Sequence, residues 1–200
     1  MMIVIAKPMP QQPDLDARTR MIVSATELFR ENGYSGTGFR EVVARSGAPR
    51  GSIYHHFPGG KAELAEESVR FAGAVVAARI ERAAAAGDPH AMLTAFAAGW
   101  SRQLQRSDFR AGCPVVAVAV EADTSAGVTQ AAAEAFEQWE ALFARALRGA
   151  GVPRARSGRI ATLTVSAIEG AVIQSRVARS TAPIDDVVRE LGALIDVARV

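Results

Sequence analysis

Apolar residues recur along most of this chain at spacings of three and four, the signature of helices with one buried face, and glycine or proline breaks the pattern wherever it stops. Ile22, Ala25, Leu28 and Phe29 mark a first helix, with Asp16 placed to cap it and Gly33 to end it. Phe39, Val42 and Val43 give a short second apolar face. Thr37 is its predicted N-cap, although Arg40 three residues on leaves the capping box incomplete. Gly47 ends that helix. Pro49 suits the first turn of a third, where its missing N–H would be unpaired anyway. Ile53 and Phe57 lie four apart and face inward before Pro58-Gly59-Gly60 interrupts the chain.

Longer helices follow. Leu64, Val69, Phe71, Val75, Val76 and Ile80 predict one to about Ala86, stopped by Gly87-Asp88-Pro89. Met92, Leu93, Phe96, Trp100 and Leu104 predict the next. Residues 115–120 are apolar throughout, so spacing cannot separate helix from strand, and their β-branching favours strand. They are assigned as helix because the chain offers no partner strand. Ala135, Phe136, Trp139, Leu142, Phe143 and Leu147 mark another helix, ended by Gly149, Gly151 and Pro153. Two last stripes run from Ile160 to Val172 and from Val187 to Ala198. The expected fold is all-α with about nine helices. Residues 1–13, with three prolines and two glutamines, read as a tail, 14–61 as a small helical domain and 62–200 as a larger one.

Charge sharpens this division. The net charge is only +2, yet residues 1–61 carry eight Lys+Arg against five Asp+Glu. The positive excess sits in the small domain, as expected when that part alone meets a polyanion. Of the basic residues only Lys7 and Lys61 are lysines, which reads first as a compositional bias. A single cysteine excludes an intrachain disulfide and suits a reducing compartment. The opening MMIVIAKPMP lacks the features of a signal peptide, and no stretch approaches the ~20 apolar residues of a membrane span. A soluble cytoplasmic protein with no membrane partner is expected.

The stretch from Gly33 to Lys61, GYSGTGFREVVARSGAPRGSIYHHFPGGK, carries the chemistry. Helix, glycine turn and second short helix form a helix-turn-helix, with polar side chains left on the outer face. A helix entering the major groove must expose such side chains and let its backbone come close. Arg50 and Tyr54 share a face at i, i+4 spacing, Gly51 beside them offers no obstruction, and His55 follows. Lys61 opens the next helix, where its ammonium and free backbone N–H groups can hold a phosphate. The candidate contacts to double-stranded DNA are Thr37, Arg45, Pro49, Arg50, Gly51, Ser52, Tyr54, His55 and Lys61.

Residues 18–65 resemble the N-terminal domain of TetR-family transcriptional regulators. The resemblance is carried by Ala25, Leu28, Phe29, Gly33, Tyr34, Thr37, Val42, Val43, Ala44, Gly47, Arg50, Gly51, Ser52, Ile53, Tyr54, His56, Phe57, Lys61 and Leu64. GAPRGSIYHHFPGGK together with GCP at 112–114 is similar to the LmrA and YxaF subgroup. The resemblance implies an all-helical homodimer whose larger domain binds a small effector, and a Tyr54 contact to phosphate. Pro49 departs from the Ser or Thr often found there, so a hydroxyl contact is missing and Arg50 and Gly51 carry more of the local contact.

Other features weigh less. His55-His56 is no metal pair, since adjacent helical residues point about 100° apart. Gly59-Gly60-Lys61 lacks the upstream glycine of a phosphate loop, that position being His55. Cys113 has no basic neighbour within two positions to activate it, so its reading is structural rather than redox-sensing. Glu121 and Glu169 each interrupt an apolar run, Glu121 leaning toward solvent and Glu169 left open. No catalytic constellation, metal set or cofactor motif stands out, so an enzyme is not expected. The expectation is a repressor released from its operator by a small lipophilic effector. A DNA-binding activator or structural protein without an effector is the alternative, and an effector module with vestigial DNA contact a third. Phe96, Trp100, Cys113, Val116, Phe136, Trp139 and Phe143 are the candidate pocket lining. Leu163, Ala167, Gly170, Ala171, Leu191, Leu194, Ile195 and Ala198 are the candidate dimer interface.

Overall fold

The computed structural model describes residues 15–49, 51–85, 87–121 and 125–199. These residues form nine helices and no strand. In chain order they are α1 (Ala17–Asn32), α2 (Phe39–Ser46), α3 (Ser52–His56), α4 (Gly60–Ala84), α5 (Pro89–Arg106), α6 (Pro114–Ala119), α7 (Ala126–Gly149), α8 (Arg154–Ala178) and α9 (Ala182–Ala198). The tail expected at 1–13 and Arg50 lie outside the described residues.

Local chemistry sets most of the boundaries. Asp16 starts α1 by accepting from the Thr19 amide at 2.9 Å, and Gly33 ends it at φ +78°. Gly47 stops α2 at φ +64° in the left-handed region, which a side chain would penalise. Asp88 caps α5 through the His90 amide at 2.9 Å, with Pro89 at its first position. Thr37 is not the cap of α2. Gly38 holds that position, and the Thr37 hydroxyl donates instead to the Gly33 carbonyl at 2.9 Å, closing the turn before it.

The valine-rich segment at 115–120 is the helix α6, despite its β-branching. Pro114 begins it, Val115 and Val118 are buried, and it packs against α1, α4 and α7. Packing of that buried face overrides the weak local preference for strand.

The core of the larger part is built on α4, α7 and α8. Trp139 of α7 is fully buried, and its indole N–H donates to the Gly73 carbonyl of α4 at 3.0 Å. A Cβ on Gly73 would stand 2.8 Å from the Ala135 Cβ, so only glycine lets the two helices approach this closely. Phe96 of α5 packs edge-on against Trp100 and Phe143 and tilts against Trp139, while Phe136 meets Trp139 at 90°. At the other end, α1 joins the small part to this core. Its Arg18 pairs with Glu67 of α4 at 3.3 Å, and Arg20 donates to the Ser46 carbonyl of α2 at 3.1 Å. α4 is one continuous helix, so the small and large parts share it.

Candidate nucleic-acid interface

α2, the turn at Gly47 and α3 form the helix-turn-helix. Val42, Ile53 and Phe57 turn inward and are buried against α1. Gly51, at φ +89°, precedes α3, and Ser52 opens it with its hydroxyl donating to the Pro49 carbonyl at 2.7 Å. α3 therefore begins at Ser52, and the expected pairing of Arg50 with Tyr54 lies outside the described residues. Tyr54 is 67% exposed, its ring edge-on to Phe39 with centroids 5.5 Å apart. His55, Pro49 and Gly51 are also exposed. An exposed phenol that a second ring holds in place is a suitable phosphate donor.

Two expected contacts sit elsewhere. Thr37 is buried, with its hydroxyl engaged by Gly33 and its amide by the Tyr34 carbonyl. Arg45 is half-buried and forks onto Glu31 of α1 at 3.1 and 3.3 Å, so its charge fastens α2 to α1. One residue that sequence reading passed over joins the outer face. Arg40 of α2 is exposed and shares an apolar cleft with Tyr54, lined also by Phe39, Val43 and Ile53. Its position next to an incomplete capping box hid it, because that reading asked only whether it capped.

Lys61 stands in the first turn of α4, as expected, but is half-buried. Its ammonium lies 4.5 Å above the Tyr34 ring. Burial pulls this group below the usual lysine value, while the nearby Glu121 charge works the other way.

With this geometry the comparisons fall into place. Residues 21–68 match the family described as bacterial regulatory proteins, tetR family. Residues 89–190 match the family described as transcriptional regulator LmrA/YxaF-like, C-terminal domain. An uncharacterized HTH-type transcriptional regulator of Mycobacterium tuberculosis (strain H37Rv) is 42% identical over 184 residues, covering 89% of this chain and 93% of the relative. The chain belongs to the TetR family of transcriptional regulators. The HTH-type transcriptional regulator LmrA of Bacillus subtilis is 33% identical, over 84% of this chain and 91% of its own. The regulatory protein TetR from Rhodobacter sphaeroides superimposes with a TM-score of 0.80 at 25% identity, over 88% of this chain and 97% of that one. As a TetR-family member this chain is a DNA-binding transcriptional regulator and not an enzyme.

In this TetR-family chain the DNA unit is tied to the larger part by a residue that sequence reading leaned toward solvent. Glu121 follows the end of α6. Its carboxylate accepts from the Ser35 amide at 2.8 Å, from the Ser35 hydroxyl and from the Tyr34 amide. Burial alone would raise its pKa. The donors on Ser35 and Tyr34 and the Lys61 charge outweigh that and hold it below the usual carboxylate value. Two more links run beside it, from the Gly112 amide to the Arg30 carbonyl at 2.9 Å and from Arg176 of α8 to the Glu31 carbonyl at 3.1 Å.

The expected pocket residues separate into two groups. Phe96, Trp100, Phe136, Trp139 and Phe143 pack on one another, with Trp139 fully buried and hydrogen-bonded. Cys113 and Val116 instead line a cleft of about 560 Å³ between α6 and α8, together with Glu169. Cys113 is buried, and burial first and the Glu169 charge second push its thiol well above the ordinary value, so it stays protonated.

The expected interface residues also divide. Ala171, Leu191, Ile195 and Ala198 are buried within the protomer's own core and offer no surface to a partner. Leu163, Ala167, Gly170 and Leu194 remain accessible. The interface residues divide because stripes on the two faces of a helix read alike until the neighbouring helices are known.

Proposed function

We propose that this regulator is a homodimeric repressor that leaves its operator when a small lipophilic effector binds the larger domain. Residues 14–61 act as the reading domain and 62–200 as the effector and dimerisation domain, working in the cytoplasm where the DNA is. The observation that carries the reading is the Glu121 clamp. A carboxylate fixed to the end of α6 holds the turn between α1 and α2, so displacement of α6 is felt in the helix-turn-helix.

A two-fold dimer is favoured by an accessible stripe on α8. Leu163, Ala167, Gly170, Gln174 and Val177 repeat at spacings of four and three, with small residues at its middle. Val197 on α9 is a further exposed apolar residue, 69% exposed. Two reading heads paired this way bind half-sites about one helical turn, ~34–36 Å, apart. For coupling, an effector that lowers operator affinity a hundredfold must prefer the released state by about 2.7 kcal/mol. The test is a mobility shift on the DNA upstream of the regulator's own gene and its neighbours, repeated across a library of lipophilic compounds. Retardation that a compound reverses is expected. Retardation that no compound alters would favour a regulator without an effector.

A further inference from the structure

The cleft between α6 and α8 holds a group that the fold itself leaves unsatisfied. Glu169 points into it from α8, and only 7% of its surface is exposed. Neither carboxylate oxygen has a hydrogen-bond partner among the described residues. The Cys113 thiol, a weak donor, is its polar neighbour and favours the ionised form, against the larger effect of burial. Buried carboxylates are ordinarily paired or hydrogen-bonded, because leaving one bare costs several kcal/mol. The rest of the cleft is apolar, with Val116, Val172 and Ile173 along its walls and Phe109 at one end.

We propose that this cleft is the effector site, and that it takes a lipophilic organic cation, an amine or amidine whose N–H groups dock on the Glu169 carboxylate. The proposal rests on the ligand-released reading above and names its site and ligand class. The volume falls within the ~300–1,000 Å³ of ordinary small-molecule sites. A cationic donor supplies what the carboxylate lacks, and the low dielectric around Glu169 strengthens that pairing. Arg110 and Arg176 also line the cleft, and both are exposed. Their repulsion of a cation is screened by solvent, whereas the attraction at the buried floor is not. Burial also pushes the Glu169 carboxyl up to about 7, so near neutrality it loses its proton to solvent readily when a cation docks beside it.

The site lies where an effector needs to act. Cys113, Val116, Ala117 and Val120 put α6 along one side of the cleft, and Glu121 follows directly with its hold on Ser35. Gly112 and Arg176, also in the lining, hold the last turn of α1 through the Arg30 and Glu31 carbonyls. A body wedged between α6 and α8 pushes on all three attachments to the DNA unit.

The experiment is calorimetric titration of the full chain with naphthylmethylamine, naphthylmethanol and naphthoate, three probes of one shape and different charge. The amine is expected to bind at least about tenfold more tightly than the alcohol, the size of one charge-assisted hydrogen bond. Glu169→Gln should erase that preference, and Val116→Trp should fill the cleft and block all three probes. Equal binding of amine and alcohol, or a preference that survives in Glu169→Gln, would overturn the assignment. Operator release, read separately by mobility shift, tells the two levels apart. Release by other compounds with no amine binding in the cleft removes this site and leaves the regulatory reading. Amine binding with the stated preference and no release by any compound does the reverse.

Discussion

Glu121 Oε2 lies 2.8 Å from the amide nitrogen of Ser35, a pair 86 positions apart in sequence that joins the end of α6 to the turn before α2. The same turn begins at Gly33, where a Cβ would stand 2.6 Å from Glu121 Oε1 at a φ of +78°. Backbone shape and clearance for the carboxylate therefore both require glycine. Gly33→Ala should cost about 1–3 kcal/mol in urea denaturation. Glu121→Gln should leave helix content unchanged by circular dichroism and speed amide exchange at Tyr34 and Ser35. It should also lower operator affinity. Unchanged exchange at those two amides would show that the clamp does not form in solution.

Lys61→Ala should weaken binding to operator and random DNA by similar factors and reduce the salt slope by about one unit. Arg40→Ala on the neighbouring helix should do likewise, measured by fluorescence anisotropy over a salt series. Arg50→Ala should cost about 1–3 kcal/mol and relax sequence preference, as expected for a side chain at a base edge. If none of the three changes binding, the outer face of the helix-turn-helix is not the reading surface.

Val177→Glu and Leu163→Glu should produce monomers by light scattering with the helix content intact, because both side chains stand on the accessible stripe of α8. Ala171→Glu is a poorer probe. Ala171 is 2% exposed inside the protomer, so a glutamate there would unfold the chain before it separated two copies. A dimer that survives both surface changes would place the interface elsewhere.

Glu169 sets a pH dependence. Its folded pKa of about 7 stands above the ordinary 4.5. Below pH 4.5 both folded and unfolded chains hold the proton. Between 4.5 and about 7 the unfolded chain releases it while the folded chain keeps it, so stability falls with rising pH and levels off above 7. The shift corresponds to about 3 kcal/mol. Cys113 stays neutral through this window, so the carboxyl is the group that changes in the cleft. Urea denaturation should show Glu169→Gln more stable than the parent by up to about that amount at pH 8, and little different at pH 4.5. Equal stability at pH 8 would mean that the carboxylate finds a partner in solution.

Much of the scaffold was legible in the sequence because its signals are local. Asp16 and Gly33 announce the ends of α1 by their own chemistry, and the apolar spacing from Met92 to Leu104 announces α5. α6 was legible only by elimination, since six apolar residues carry no period. Glu121 and Glu169 show where local reading stops. Both are carboxylates in apolar surroundings, yet donors on a distant turn satisfy one, and the fold leaves the other bare. Arg45 and Thr37 looked like surface contacts because their partners, Glu31 and Gly33, become neighbours only when the turn closes. Trp100 and Trp139 were both read as candidate pocket lining, although large apolar side chains fill a core equally well. Helix packing decides for Trp139, whose N–H reaches Gly73, while the Trp100 N–H is buried without a partner among the described residues.

The close crossing of α4 and α7 at Gly73 also fixes a fulcrum. Lys61 lies twelve residues away along an unbroken helix, an arm of about 18 Å at 1.5 Å per residue. A tilt of about 10° about that point carries the Lys61 end by about 3 Å, close to the ~3.4 Å rise of one base step. Two mirrored arms in a dimer would double the change in separation. A deformation too small to disturb the packed core would thus move the reading heads of such a dimer out of register with successive turns of DNA.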